Sequence, residues 1–227
     1  MERTGQNEGR SRERPSKKRL YATGLVVILG SEFILRDVFL PEHAGDIHIG
    51  IAILLEWLSI LLAFWIPKIE GNELGSIGFG KFKWKYPWMG VLIYLLLLIA
   101  WIGSGFALRL IGLEGLPSLL LMIKGHSLLT RFGLLLTGAL LEEIFYRGYL
   151  IERLISLTGR SWLSGLISWI AFTFVHLKFF GLGPTLDVGI LSAGLVVLYL
   201  VERSVWPCII LHGVNGAFSF LIIPLLV

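Results

Sequence analysis

Two adjacent carboxylates, Glu142 and Glu143, lie inside an apolar stretch that runs from about 128 to 150. Charged side chains at membrane depth are costly, so they are rare and are usually paired or functional. Arg147 follows Glu143 by four residues, which is the favourable order and spacing for an ion pair on one helix. This pairing neutralises Glu143 and makes Glu142 the carboxylate that is available for chemistry.

Glu142 fits the role of a general base. A carboxylate in a partly dry cavity holds a proton more readily than it does in water, which suits proton transfer near neutral pH. Two later apolar stretches carry His176 and His212, and the amide of Asn215 follows the second histidine. We therefore predict that these side chains converge on one site rather than forming separate structural hydrogen bonds.

Two other hydrolytic arrangements are not indicated. The sequence contains neither Gly-x-Ser-x-Gly nor His-Glu-x-x-His, the motifs of the nucleophile elbow and of zincin-type metalloproteases. The single cysteine, Cys208, follows Trp206 and Pro207 in an apolar stretch, and we predict that it is a small buried hydrophobic residue.

Membrane-spanning helices must position these groups. The chain of 227 residues is 55% hydrophobic and 16% charged, and its mean hydropathy is +0.78, which is typical of a polytopic membrane protein. A spanning helix needs roughly 20 residues. Seven apolar stretches are candidates, of which the sixth is short: 20–40, 47–66, 87–113, 128–150, 162–180, 188–201 and 205–226.

The predicted fold is therefore an all-α, polytopic membrane helix bundle of about seven transmembrane helices, with a range of six to eight. The candidate catalytic groups fall on the fourth, fifth and seventh spans. One conflict arises in the depth of these groups. If the N-terminus is cytoplasmic, counting residues from the cytoplasmic end of each span places His176 deeper in the membrane than Glu142 or His212. Either several helix ends differ from these bounds, or the fifth helix contains a break or a re-entrant loop.

Residues 1–19 form a separate, basic segment. They carry seven basic and three acidic side chains, which accounts for the formal net charge of +4. We predict a disordered cytoplasmic tail that orients the first helix, with no cleavable signal sequence. Residues 20–227 then form a single membrane-embedded domain. The predicted location is the cell (inner) membrane of a prokaryote, with several spans and a cytoplasmic N-terminus.

The ordered motifs resemble those of the CPBP family of intramembrane proteases, the relatives of Rce1-type CAAX-processing endopeptidases and of bacteriocin-processing and immunity proteins. The resemblance covers about residues 128–220. It rests on three motifs: Glu142-Glu143-x-x-x-Arg147, Phe172-x-x-x-His176, and His212 with Asn215.

The resemblance implies peptide-bond hydrolysis within or at the membrane. By analogy with the family, Glu142 and His176 activate water, and His212 and Asn215 stabilise the oxyanion. Glu143, Arg147 and Phe172 support the site. The family commonly places Asn or Asp four residues after the last histidine. That position is Gly216 here, and the asparagine stands three residues after His212.

The resemblance favours a metal-independent, glutamate-type endopeptidase with no cofactor. Zinc bound by Glu142, His176 and His212 is the metal-dependent alternative. Two other functions stay open: a non-catalytic scaffold or immunity protein of the same fold, and a transporter or proton relay. The predicted partners are the lipid bilayer and a membrane-associated peptide or protein, and not nucleic acid. The substrate is a prenylated CAAX tail, a leader peptide or a C-terminal sorting signal.

Overall fold

The computed structural model describes residues 17–30, 45–113 and 123–226. Every regular element within these ranges is helical, which confirms the predicted all-α bundle. In chain order the elements are α1 (17–30), α2 (Asp46–Ile69), a 3₁₀ turn (Leu74–Ile77), α3 (Tyr86–Leu110), α4 (Leu128–Thr137), a π-helical segment (Gly138–Leu150), α5 (Ile151–Thr158), α6 (Ser161–Phe180), α7 (Leu182–Glu202), α8 (Val205–Gly216), a second π-helical segment (Ala217–Ile222) and α9 (Ile223–Leu226).

Five of the predicted spans are long and apolar enough to cross a membrane. They are Asp46–Ile69, Tyr86–Leu110, Ser161–Phe180, Leu182–Glu202 and Val205–Leu226. The fourth predicted span belongs to a continuous helical run from Leu128 to Thr158. The first predicted span and the basic tail lie partly outside the described residues, and residues 114–122, between the third and fourth predicted spans, lie wholly outside them.

The Glu142–Glu143 pair lies in the π-helical segment rather than in ordinary α-helix. A π-helix closes its hydrogen bonds from i to i+5, so its turns are wider, and such turns are frequent at functional sites. Nearly the whole segment is buried, and it contacts α2, α4, α5, α6, α7 and α8. The segment is therefore the centre of the bundle.

The helix ends explain the conflict in depth. The run that carries Glu142 continues to Thr158, beyond the predicted end at 150. Glu142 and His176 are then sixteen and fifteen residues from the turn between α5 and α6. Because α6 is one continuous helix, the suggested break in the fifth helix is wrong, and the misplaced helix ends account for the difference.

The depth of His212 follows from the same extension. A Cβ atom at Gly148 would lie 3.1 Å from Cγ1 of Val205, the first residue of α8. Because α8 begins beside Gly148, α5 and the start of α6 extend beyond the first residue of α8. His212 is seven residues into α8, and Glu143 is five residues before Gly148. The two side chains thus reach a similar level in the bundle.

A buried polar network holds this projecting end. Glu70, just after α2, is 3% exposed and Arg153 of α5 is 2% exposed. The Glu70 carboxylate accepts a hydrogen bond from the hydroxyl of Tyr149 at 2.6 Å and from Nε of Arg153 at 2.8 Å. Arg153 also donates to Ser76 in the 3₁₀ turn. The network joins α2, the 3₁₀ turn and α5, which explains why the helix continues through a polar stretch.

We expect Arg153→Met to lower the free energy of unfolding by about 3–5 kcal/mol, because it leaves Glu70 as a buried charge without its counter-charge. The measurement is SDS denaturation of the purified protein in mixed micelles. Arg160→Met is the control, because Arg160 is exposed, and it should change stability by less than about 0.5 kcal/mol. Equal stability of the two variants would show that the network does not hold the fold.

Candidate active site

Glu143 and Arg147 form a fully buried ion pair. Nη1 of Arg147 lies 3.0 Å from Oε1 of Glu143, and both side chains are 0% exposed. Nη2 of Arg147 donates to Oγ of Ser192 on α7 at 2.9 Å. The guanidinium carbon lies 4.2 Å from the centre of the Phe172 ring on α6, a cation–π contact. The ion pair therefore ties the π-helical segment to α6 and α7.

The same carboxylate oxygen orients His212. Nδ1 of His212 lies 2.8 Å from Oε1 of Glu143. A carboxylate accepts hydrogen bonds, so Nδ1 carries the proton and donates it to this bond. Nε2 of His212 then faces Oε2 of Glu142 at 4.0 Å. The sequence had related Glu143 to Arg147 alone, and its contact with His212 was missed.

His176 approaches Glu142 from the other side. Its Nδ1 lies 2.7 Å from the carbonyl oxygen of Phe172, one turn earlier on α6, so Nδ1 is again the donor. Nε2 of His176 faces Oε1 of Glu142 at 3.9 Å. The Nε2–Oε distances of 3.9 and 4.0 Å are longer than a direct hydrogen bond. One oxygen atom placed between each pair could bond to both atoms.

The ring of Phe172 lies among the charged and polar groups. Its centre is 4.6 Å from the His176 ring and 6.2 Å from the His212 ring. The ring of Tyr146 meets it edge to face at 5.1 Å. Phe172 is 1% exposed, so it fills the space between the histidines and Arg147 and fixes their separation.

Asn215 is the predicted site residue that the hydrogen bonds do not join to the others. It is half-buried on α8, and within the described part of the chain its side chain makes no hydrogen bond to the glutamates or the histidines. The neighbouring Gly216 faces α4, since a Cβ there would lie 3.3 Å from Cγ of Leu135. The structure brings together Glu142, Glu143, Arg147, Phe172, His176 and His212.

The zinc alternative needs three protein ligands about 2 Å from one point. No group of three or more His, Cys, Asp or Glu side chains in the described ranges is arranged to hold a metal ion. Zinc at Glu142, His176 and His212 stays the metal-dependent alternative, which the chelation experiment below tests.

Two residues of this region were missed by sequence reasoning. Ser192 belongs to none of the three motifs, although it accepts a hydrogen bond from Arg147. Gly138 gave no signal, although a Cβ there would lie 3.4 Å from Nε2 of His212. Only the register between helices reveals either contact, so no local pattern could have found them.

The fold and the site define a multi-pass helical membrane protein with a buried cluster of carboxylates and histidines. Residues 124–218 match the model of the type II CAAX prenyl endopeptidase Rce1-like family. The matched stretch contains all three motifs and every candidate site residue, and it confirms the resemblance to the CPBP family for this part of the chain. No curated protein and no solved structure matches the chain.

We expect Glu143→Gln to cost about 3–5 kcal/mol of stability, because it leaves Arg147 as a buried cation without its counter-charge. Ser192→Ala should cost less, about 1–3 kcal/mol, because it leaves one buried N–H donor without an acceptor. SDS denaturation in mixed micelles measures both.

The control for these variants is Glu73→Gln, because Glu73 is exposed and its substitution should have little effect. If Glu143→Gln proved as stable as Glu73→Gln, the buried ion pair would not support the fold.

Proposed function

We propose that the protein is an intramembrane endopeptidase that hydrolyses a peptide bond of a membrane-associated protein or peptide. The observation that supports this most directly is the environment of Glu142. Its two carboxylate oxygens face Nε2 of His176 at 3.9 Å and Nε2 of His212 at 4.0 Å. The Rce1-like match supports the reaction class.

Glu142 and His176 act on the attacking water. Glu142 accepts one proton from water as the oxygen attacks the carbonyl carbon of the substrate. Because Nδ1 of His176 donates to the Phe172 carbonyl, Nε2 is the basic nitrogen and helps to orient the water. The C–N bond then breaks, and the proton on Glu142 passes to the leaving nitrogen. The second hydrogen of the water stays on the attacking oxygen, so one peptide bond and one water become a carboxylic acid and an amine.

His212 stabilises the oxyanion as an imidazolium. Its Nδ1 proton is held by Glu143, so Nε2 donates a hydrogen bond only when the ring carries both protons. With both glutamates ionised, Glu142, Glu143 and Arg147 have a net charge of −1. A protonated His212 brings this buried cluster to neutrality, which is favourable because unbalanced buried charge is costly. One such donor is worth about 3–4 kcal/mol in comparable sites.

The proposal needs no metal and no cofactor, and zinc at Glu142, His176 and His212 is its alternative. A cytoplasmic N-terminus is part of the proposal. It places Lys68, Lys85, Arg160 and Arg203, at helix ends on one side of the bundle, in the cytoplasm, as the positive-inside rule favours. The substrate enters from the bilayer or its surface.

We expect Glu142→Gln and His176→Asn each to lower kcat by about 10²- to 10⁴-fold, the range that general acid–base catalysis contributes. The assay uses an internally quenched peptide with a farnesylated C-terminal CAAX sequence, the substrate class in the family's name. The same peptide without the farnesyl group tests whether the lipid is needed. Peptides from membranes of cells that express the native chain or Glu142→Gln provide a wider substrate set.

The control for this assay is Glu73→Gln, which should keep the native rate because Glu73 is exposed and lies far along the chain from the site. Full cleavage by Glu142→Gln would rule out the mechanism. A protease should also accumulate uncleaved substrate on Glu142→Gln, whereas a scaffold or a transporter should not. Loss of activity after chelation, with restoration by zinc, would favour the metal-dependent alternative.

We propose Asn215 as a second oxyanion donor with a smaller share than His212. Its side chain is half-buried and is not hydrogen-bonded to the cluster, so it is less preorganised than the His212 imidazole. We expect Asn215→Ala to lower kcat less than His212→Ala, which should lose the roughly 10²- to 10³-fold that one oxyanion donor provides. Rates for both variants on the same peptide measure the difference, and a larger loss for Asn215→Ala would reverse the assignment.

A further inference from the structure

Gly138 borders the gap between Glu142 and His212. It is the first residue of the π-helical segment, four residues before Glu142. An ideal Cβ atom built on Gly138 would lie 3.4 Å from Nε2 of His212, 3.6 Å from Cε1 of His212 and 3.8 Å from Oε2 of Glu142. Nε2 and Oε2 are themselves 4.0 Å apart. A side chain at 138 would thus point at the space between the two proposed catalytic groups.

The distances show how much of that space a methyl group would remove. An oxygen atom that bonds to both Nε2 and Oε2 at about 2.8 Å lies on a ring around the midpoint of the two atoms. The ideal Cβ position would lie about 3 Å from that midpoint, given its distances to the two atoms. This Cβ would come closer than van der Waals contact to an oxygen on about half of the ring, the half that faces Gly138.

The methyl group nevertheless fits the folded protein. Its nearest neighbours, at 3.4 to 3.8 Å, are at ordinary van der Waals distance. Gly138 has helical backbone angles, φ −59° and ψ −49°, which alanine adopts readily. Alanine is also favoured over glycine within a helix by about 1 kcal/mol. Gly138→Ala therefore reduces the space available for reaction without destabilising the fold.

We infer that Gly138 is a positioning residue. Because it lacks a side chain, it leaves room for the reacting oxygen between Glu142 and His212, on the side of the gap that faces Gly138. This oxygen belongs to the attacking water or to the scissile carbonyl group of the peptide substrate. The inference rests on the proposed function, because it gives the gap a role only if Glu142 and His212 act on a substrate.

The test compares Gly138→Ala with Gly133→Ala on the farnesylated peptide. Gly133 lies five residues earlier, in α4, and a Cβ there would meet only Cδ1 of Ile53, at 2.9 Å, the flexible end of a side chain. We expect Gly138→Ala to lower kcat by about 100-fold, as misplacement by about 1 Å does elsewhere. KM should stay at the native value, the SDS denaturation midpoint should be at or above the native value, and Gly133→Ala should keep the native kcat.

A second measurement does not depend on turnover. ¹⁵N NMR of histidine-labelled protein in micelles reports the Nε2 resonance of His212, which is assigned with His212→Asn. Gly138→Ala should shift this resonance, because its methyl group replaces solvent beside Nε2, and Gly133→Ala should not. If the peptide is not turned over by the native chain, this comparison decides alone, and an unshifted resonance overturns the inference.

The outcomes separate this inference from the proposed function. Native kcat in Gly138→Ala, with Glu142→Gln inactive, overturns the role of Gly138 and leaves the protease proposal standing. A raised KM with native kcat would place residue 138 in a substrate subsite away from the reacting atoms, which also contradicts the inference. Activity in Glu142→Gln would overturn both.

Discussion

One oxygen atom, Oε1 of Glu143, holds the site together. It accepts a hydrogen bond from Nη1 of Arg147 at 3.0 Å and from Nδ1 of His212 at 2.8 Å. The side chain is 0% exposed, so these charge-assisted bonds form away from water, where they are strong. Through Arg147 the oxygen is linked to Ser192 on α7 and to Phe172 on α6, and through His212 it is linked to α8. Four segments of the bundle thus keep their relative positions through this carboxylate.

The sequence predicted what local spacing and composition can encode. Apolar length located the spans, and four-residue spacing related Glu143 to Arg147 and Phe172 to His176. Contacts between distant elements carry no such signal, and Glu70 with Arg153 or Glu143 with His212 are examples. The conflict in the depth of His176 had the same cause. The fourth span was ended at residue 150, before polar residues such as Arg153 whose partners lie on other elements.

The π-helical geometry was also beyond the sequence pattern. The positions of Glu142 and Glu143 were expected from α-helical angles, but both lie in a segment with wider turns. Its backbone hydrogen bonds are shifted by one residue, and no residue type in the stretch encodes that shift. The packing of four other helices, α2, α6, α7 and α8, around the segment provides a physical reason, because nearly every side chain of the segment is buried.

The two adjacent carboxylates differ in role because they differ in environment. Glu143 has a cation and an imidazole N–H on one oxygen, so it holds Arg147 and sets the orientation of His212. The Glu142 side chain is 10% exposed and faces two Nε2 atoms across gaps wide enough for an oxygen atom. In the proposed mechanism, a proton gained by Glu142 leaves Glu143 as the counter-charge, within this cluster, of Arg147 and a protonated His212. That excess of positive charge favours a negatively charged oxyanion beside His212 and return of the proton to the leaving group, so the charge balance of the cluster itself connects the two halves of the proposed reaction.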